Sequence, residues 1–188
     1  WLIRLTLGLR RPKNHILGWD AAGEVMESGS NVTRFQAGDE VYGAGEHVFA
    51  EYATIPANQI AKKPAGITYE QAAAVPMAGV TALQALRDHG RLQRGQTVLI
   101  NGASGGVGSF AVQIAKTLGA EVTGVCSTGK AEMVLSIGAD HVIDYTQNDF
   151  TRMGEQYDLI LDNAASQSFS SLKRVLAPEG LILPNSGH

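Results

Sequence analysis

The chain has 188 residues, with 15 Lys plus Arg against 18 Asp plus Glu, a formal net charge of −3. With no basic excess there is no general attraction to a phosphate backbone, which excludes bulk nucleic-acid binding. Hydrophobic residues at 44 % and charged residues at 18 % exclude intrinsic disorder and a charged coiled coil. Cys126 is alone, so neither a disulfide framework nor a multi-cysteine zinc site can be built, and a reducing, cytoplasmic setting fits. No run approaches the roughly 18 apolar residues of a membrane span. The chain opens on Trp1 and stops at Asn185-Ser186-Gly187-His188, just after an apolar run, and it reads as a fragment.

In chain order, residues 1–68 are β-leaning. Short runs such as Ala21 to Met26 and His47 to Ile55 are separated by turns at Ser28-Gly29-Ser30-Asn31 and Ala37-Gly38-Asp39. From Tyr69 to His89 the pattern turns helical, with Ala72, Val75, Val80, Leu83 and Leu86 as apolar candidates. Pro76 and Gly79 are expected to break it in two. From residue 95 onward, β-rich runs at Thr97–Ile100, Val122–Val125, His141–Ile143, Leu159–Leu161 and Leu181–Leu183 alternate with helical stretches. That alternation predicts α/β architecture, a doubly wound parallel sheet. Val107, Ala111, Ile114 and Leu118 are the face expected to lie on the sheet.

The strongest chemical signal is Thr97 to Gly108, a strand running into a glycine-rich turn that opens a helix. Residues 103–108 fit G-x-G-x-x-G with Ala103 at the first glycine. Gly105 is expected to admit a pyrophosphate to the backbone, and Gly108 to let helix and strand pack closely. The pyrophosphate would rest on free N–H groups at the positive end of the helix dipole.

The second strand ends Cys126-Ser127-Thr128-Gly129-Lys130, without the carboxylate that binds ribose hydroxyls of NAD. Two hydroxyls and a lysine suit a 2′-phosphate, so NADP(H) is the expected cofactor. Helix capping is the alternative use of Ser127 and Thr128. The five histidines, His15, His47, His89, His141 and His188, match no ligand spacing, and no metal is expected. A hydrolase is set aside for want of a Gly-x-Ser-x-Gly elbow. The patches at Arg4, Arg10, Arg11 and Lys13 and at Lys62-Lys63 read as solvated faces.

Several landmarks now resemble one family. They are Ile16-Leu17-Gly18-Trp19-Asp20-Ala21-Ala22-Gly23-Glu24-Val25, Ala37-Gly38-Asp39-Glu40-Val41-Tyr42-Gly43, Ala72 to Ala82, the glycine-rich turn, and Gly138-Ala139-Asp140-His141-Val142-Ile143-Asp144-Tyr145. Together they resemble the medium-chain dehydrogenase/reductases, in particular the zinc-free quinone oxidoreductase branch. The resemblance implies part of a β-rich GroES-like catalytic domain over residues 1–75. Residues 76–188 would be a Rossmann dinucleotide-binding domain lacking its last strand.

By resemblance, Thr81 lies near the nicotinamide, Ser104, Gly105, Gly106 and Val107 contact the pyrophosphate, and Ser127, Lys130 and Tyr145 hold the adenosine 2′-phosphate. Trp19 stands where zinc-dependent members carry a histidine ligand, and either lines the substrate pocket or is a core aromatic. Two departures stand out. Ala165 occupies a place where the family has glycine, with a Cβ expected to crowd the nicotinamide ribose, and Pro184-Asn185 replaces a Val-Gly or Phe-Gly turn.

The implied function is hydride transfer from NADPH to a quinone or an α,β-unsaturated carbonyl, a small-molecule substrate, with a homodimer as the full-length form. One rival is a nucleotide-binding protein of the same fold with little or no turnover. A methyltransferase is the other, disfavoured by Ser127 and Lys130 where it would want an acidic residue.

Overall fold

The computed structural model describes residues 16–185. The chain divides into two units between Met77 and Ala78. In the first unit, β1 (Asp20–Glu24), β2 (Glu40–Ala44) and β3 (Ile60–Lys62) form an antiparallel sheet in that order, with Ala22 opposite Tyr42 and Tyr42 opposite Ala61. A Cβ on Gly43 would lie 2.2 Å from the Gln59 carbonyl oxygen and 2.8 Å from Ile60 Cα, so only glycine lets the chain lie so close there. The expected β segment at 47–55 is irregular instead. Its backbone is turned by His47 at φ 64° and held by Phe49 N–H donating to the Leu17 carbonyl.

Lys62 pairs with Asp39 at 2.9 Å. The Lys63 side chain is buried, donating to the Ile67 carbonyl and pairing with Glu40 at 3.2 Å, so Lys63 is not part of a solvated face, whereas Lys62, 61 % exposed, is. Arg4, Arg10, Arg11 and Lys13 lie outside the described residues.

Helix α1 (Tyr69–Ala73) starts on a reciprocal cap, in which Thr68 Oγ1 accepts from Gln71 N–H and Gln71 Oε1 accepts from Thr68 N–H. The chain breaks before Pro76, the first residue of α2 (Pro76–Leu83), where proline needs no hydrogen bond. Gly79 lies inside α2 and does not break it. The helix continues as a π-helical turn over Gln84–His89 that closes at Gly90. Leu86 is fully buried whereas Val80 is half exposed, and the buried positions are Ala72, Pro76, Ala82 and Leu86.

The second unit holds β4 (Thr97–Asn101), β5 (Glu121–Cys126), β6 (His141–Asp144), β7 (Tyr157–Asp162) and β8 (Leu176–Pro184), all parallel, in the order β6-β5-β4-β7-β8. Three short helices lie between them, α3 (Gly106–Thr117), α4 (Ala131–Ser136) and α5 (Phe169–Leu172). Alternating residues of β4 face opposite cores. Val98 and Ile100 pack with Val112, Ala115 and Val122, while Leu99 packs with Val125, Ile160 and Leu172. A strand buried on both faces is the signature of a covered parallel sheet. Successive strands leave β4 on opposite sides, β5 on one and β7 on the other, and the crevice beyond their carboxyl ends is where such sheets bind ligands.

The stripe of α3 that meets the sheet is Gly108, Ala111, Val112 and Ala115, rotated from the expected one. Small residues bring the helix close, and the larger Val107, Ile114 and Leu118 flank the contact half-buried. Gly119, at φ 84°, ends the helix in the left-handed region.

The approach is tightest at Gly108. A Cβ there would stand 2.1 Å from the Gly102 carbonyl oxygen and 2.8 Å from Ala103 Cα, both backbone atoms. We expect Gly108→Ala to destabilise the protein by about 1–3 kcal/mol. Chemical denaturation followed by circular dichroism measures this, and wild-type stability would contradict the packing described.

Candidate functional site

The carboxyl end of β4 runs straight into a tight turn. Gly102 takes φ 78°, so the turn glycine is one residue earlier than the spacing had it, while Ala103 is fully buried. The N–H groups of Gly102 and Ala103 donate to the Val125 carbonyl at 3.1 and 3.0 Å, which locks the turn onto β5. Gly105 is the N-cap of α3, in ordinary extended backbone at φ −79°, and no side chain caps the helix. The first-turn N–H groups are therefore left for whatever occupies the crevice.

Neither Gly105 nor Gly106 is required by the fold. A Cβ on Gly105 would meet only the Gly102 carbonyl oxygen at 3.4 Å, and one on Gly106 only Ala78 Cβ at 4.0 Å. Glycine inside the first turn, as at Gly106, lowers stability by up to about 1 kcal/mol against alanine, whereas Gly105, at the N-cap, carries no such penalty. Two glycines kept where folding does not ask for them leave space for something outside the chain.

That space is a cavity of about 710 Å³ over the carboxyl ends of β4, β5 and β7. Ser104, Gly105, Gly106, Val107, Ser127 and Tyr145 line it. Lys130 does not. Thr81 lines a separate cavity of about 340 Å³ with Gln84 and His89, and Asn185 borders both. Trp19 belongs to the other unit and is 56 % exposed, so it is not a core aromatic.

At the β5 end, Ser127 is the N-cap of a 3-10 turn over Thr128–Lys130, yet its hydroxyl makes no capping bond. Thr128 Oγ1 donates to Asp144 instead. Asp144 is opposite Cys126 in the parallel register, so a carboxylate does stand beside this strand end, brought from β6. It escaped the sequence reading because strand pairing, not spacing, carries it there; an Asp closing the next strand of a parallel sheet was the available signal. It also accepts from Thr146 N–H and Oγ1 and from Gln147 Nε2. Tyr145, 61 % exposed, is anchored by its N–H on the Cys126 carbonyl and does not pack as a strand-end aromatic.

Beyond β4 on the other side, polar side chains tie three strand tips together. Asn101 Nδ2 donates to Asp162 Oδ1 at 2.8 Å and to Ser166 Oγ at 3.2 Å. Asn163 Nδ2 donates to the Asn101 carbonyl, and Asn185 Nδ2 to Asn163 Oδ1. None of this was legible from motif spacing. Asp162 Oδ1 also accepts from Ala164 and Ala165 N–H, which holds Ala165 at φ 49°, a conformation disfavoured for L-residues. Ala164 and Ser166 line the larger cavity while Ala165 between them does not, so the expected crowding is not seen there.

Among the described residues no three His, Cys, Asp or Glu side chains gather as a metal site. His47 Nδ1 hydrogen-bonds with the Ile16 carbonyl and His141 Nε2 with Glu121, while His15 and His188 lie outside the described residues. Cys126 is buried. Burial, then the charge of Asp144, push its thiol up.

Hydrogen bonds from the Thr128 side chain, then from Thr146, hold the Asp144 carboxyl below the usual carboxylate range. A depressed native value contributes stability above the unfolded value of about 3.9, lost as pH falls through the native value. Asp144→Ala should therefore lower the melting temperature most near neutral pH, the gap closing in acid. Thermal melts from pH 7 to 3 check this, and a gap that widens in acid would refute it.

The two-unit order and the parallel sheet agree with what comparison with known proteins finds. The family model described as alcohol dehydrogenase GroES-like domain matches residues 3–65, and that described as zinc-binding dehydrogenase matches residues 106–184. The chain is 40 % identical over 163 residues to the NAD(P)H oxidoreductase RTN4IP1, mitochondrial, of Mus musculus, covering 81 % of this chain and 41 % of that protein. It is 38 % identical over 177 residues to the chloroplast envelope quinone oxidoreductase homolog of Arabidopsis thaliana, covering 87 % and 54 %. Among solved structures, the quinone oxidoreductase from Coxiella burnetii superposes with a TM-score of 0.85 at 31 % identity, over 97 % of this chain and 58 % of that one. The chain thus spans about half the length of the curated relatives it matches. Domain order and overall fold coincide, and the chain belongs to the medium-chain dehydrogenase/reductase superfamily.

Proposed function

We propose that the protein is an NADPH-dependent oxidoreductase that reduces a quinone or an α,β-unsaturated carbonyl compound without zinc. Residues 1–75 are then part of its catalytic domain and residues 76–188 its dinucleotide-binding domain. The observation that carries the reading is the pair Gly105 and Gly106, which the fold does not need, at the uncapped start of α3 beside a cavity of about 710 Å³. Uncapped N–H groups at the positive end of a helix dipole favour a pyrophosphate, and missing Cβ atoms let it approach. The relatives named NAD(P)H oxidoreductase and quinone oxidoreductase support the same chemistry.

The nicotinamide, when bound, supplies the hydride. The chain's own part is to hold the dinucleotide, orient it and line the space beside it. On the adenosine side, the Ser127 hydroxyl is not used as a cap, and Tyr145 stands exposed on the cavity wall. Lys130 makes no ion pair among the described residues and sits on the same turn. These three favour a 2′-phosphate over a bare ribose. The negative charge of Asp144 opposes it, but four donors already engage that carboxylate. Thr81, on the far side of Asn185, fits the nicotinamide end. Trp19, Phe49 and Tyr52, each exposed in the first unit, are side chains suited to meeting a conjugated, flat acceptor. The zinc-free assignment rests on Trp19 at the place of a zinc ligand in the resemblance.

Two variants test the cofactor site by fluorescence titration. Lys130→Glu should weaken NADPH binding at least about tenfold while sparing NADH, the worth of one charge-assisted hydrogen bond. Equal losses for both would refute the phosphate role. Gly105→Ala should keep the wild-type melting temperature within about 2 °C, since its φ suits alanine, yet weaken both dinucleotides at least about tenfold by filling their space. Unchanged binding would sink the reading of the cavity.

A further inference from the structure

Asn101 is the residue the motif did not call for. It closes β4, one residue before the turn glycine, and only 3 % of its surface is exposed, yet it lines the larger cavity. Its orientation is fixed by its partners. Asp162 Oδ1 receives three N–H donors, from Asn101 and from the backbone of Ala164 and Ala165, so the NH2 end of the amide must face it. The second hydrogen of the same NH2 goes to Ser166 Oγ at 3.2 Å. Both amide hydrogens are thereby used, and Oδ1 accepts no hydrogen bond among the described residues. A buried amide carbonyl left without a donor costs about 1–3 kcal/mol, which is unusual unless an external donor completes it. Ser166 completes the pattern. Its oxygen accepts from Asn101, so its own O–H is free to donate, and it lines the same cavity.

We propose that Asn101 Oδ1 and the Ser166 hydroxyl form a neutral acceptor–donor pair that binds a ribose hydroxyl on the nicotinamide side of the dinucleotide. This rests on the dinucleotide reading of the cavity. The side follows from the sheet: Ser127 and Tyr145 stand over β5 and β6, whereas Asn101 and Ser166 stand at the tip of β4 and after β7, across the glycine turn. The chemistry follows from the pair. An amide carbonyl repels an anion, so no phosphate belongs against it, while a hydroxyl both donates to Oδ1 and accepts from Ser166. Asp162 is the positioning residue, setting which end of the amide faces the cavity.

Isothermal titration of the purified protein with two probes, NADPH and adenosine 2′,5′-bisphosphate, tests this. The second probe carries the adenosine half and its phosphates but lacks the nicotinamide ribose. Ser166→Ala, an exposed position, and Asn101→Ala should each raise the Kd for NADPH about fivefold, the worth of one neutral hydrogen bond, and leave the bisphosphate within about twofold. Equal weakening of both probes would mean a structural role only, and unchanged NADPH affinity in folded Ser166→Ala would overturn the pair even if Asn101→Ala fails to fold. If the wild-type protein binds neither probe, the dinucleotide reading itself falls and takes this one with it. Bisphosphate binding with no gain for NADPH would overturn the pair alone.

Discussion

The architecture of the site depends on one close contact, the start of α3 against the end of β4 at Gly108. Because no side chain separates the helix from the Gly102 carbonyl, the helix axis points its N-terminus at the crevice opened by the divergence of β5 and β7. Gly102 reverses the chain, and Ala111, Val112 and Ala115 press the next two turns onto the sheet. The position of the helix N-terminus is thus set by steric packing of backbone on backbone. That is a stiffer device than hydrogen bonding between flexible side chains.

The tips of the central strands add a second, polar layer. Asn101, Asp162, Asn163 and Asn185 exchange hydrogen bonds across β4, β7 and β8 where the sheet's own ladder has ended. The layer also absorbs a local conflict. Ala165 sits in a left-handed conformation that costs an L-residue about 1–2 kcal/mol, and its N–H is held there by Asp162. Alanine at a glycine-like position is therefore tolerated without its occupying the cavity, and Pro184-Asn185 is drawn into the same layer through the Asn185 N–H on the Asp162 carbonyl.

Legibility from sequence followed the range of the interactions. The five parallel strands and the glycine turn were readable because apolar periodicity and turn chemistry are local. In the first unit the strands are only three to five residues long and rich in Ala and Gly, so β3 left no signal, and the apolar run at 47–55 looked like a strand without having a neighbour to pair with. Six of the cofactor residues named from the motifs and the resemblance line one cavity, because they lie within a few residues of strand ends. What escaped is non-local: Asp144 reaches Thr128 through strand pairing, and Asn101 meets Asp162 and Ser166 some 60 residues away. The stripe on α3 was misjudged by one position because size, not hydrophobicity, decides which side chain fits beneath the helix.

The buried thiol of Cys126 has a bearing on chemical self-damage. Quinones and enones are Michael acceptors, and the group they alkylate most readily in proteins is a cysteine thiolate. Here the one thiol is buried at the end of β5, where burial, then the neighbouring carboxylate of Asp144, push it up and disfavour the thiolate. Cys126 lines the larger cavity beside Ser127, so its burial and disfavoured thiolate, rather than any absence from the wall, are what would spare it from a soft electrophile there.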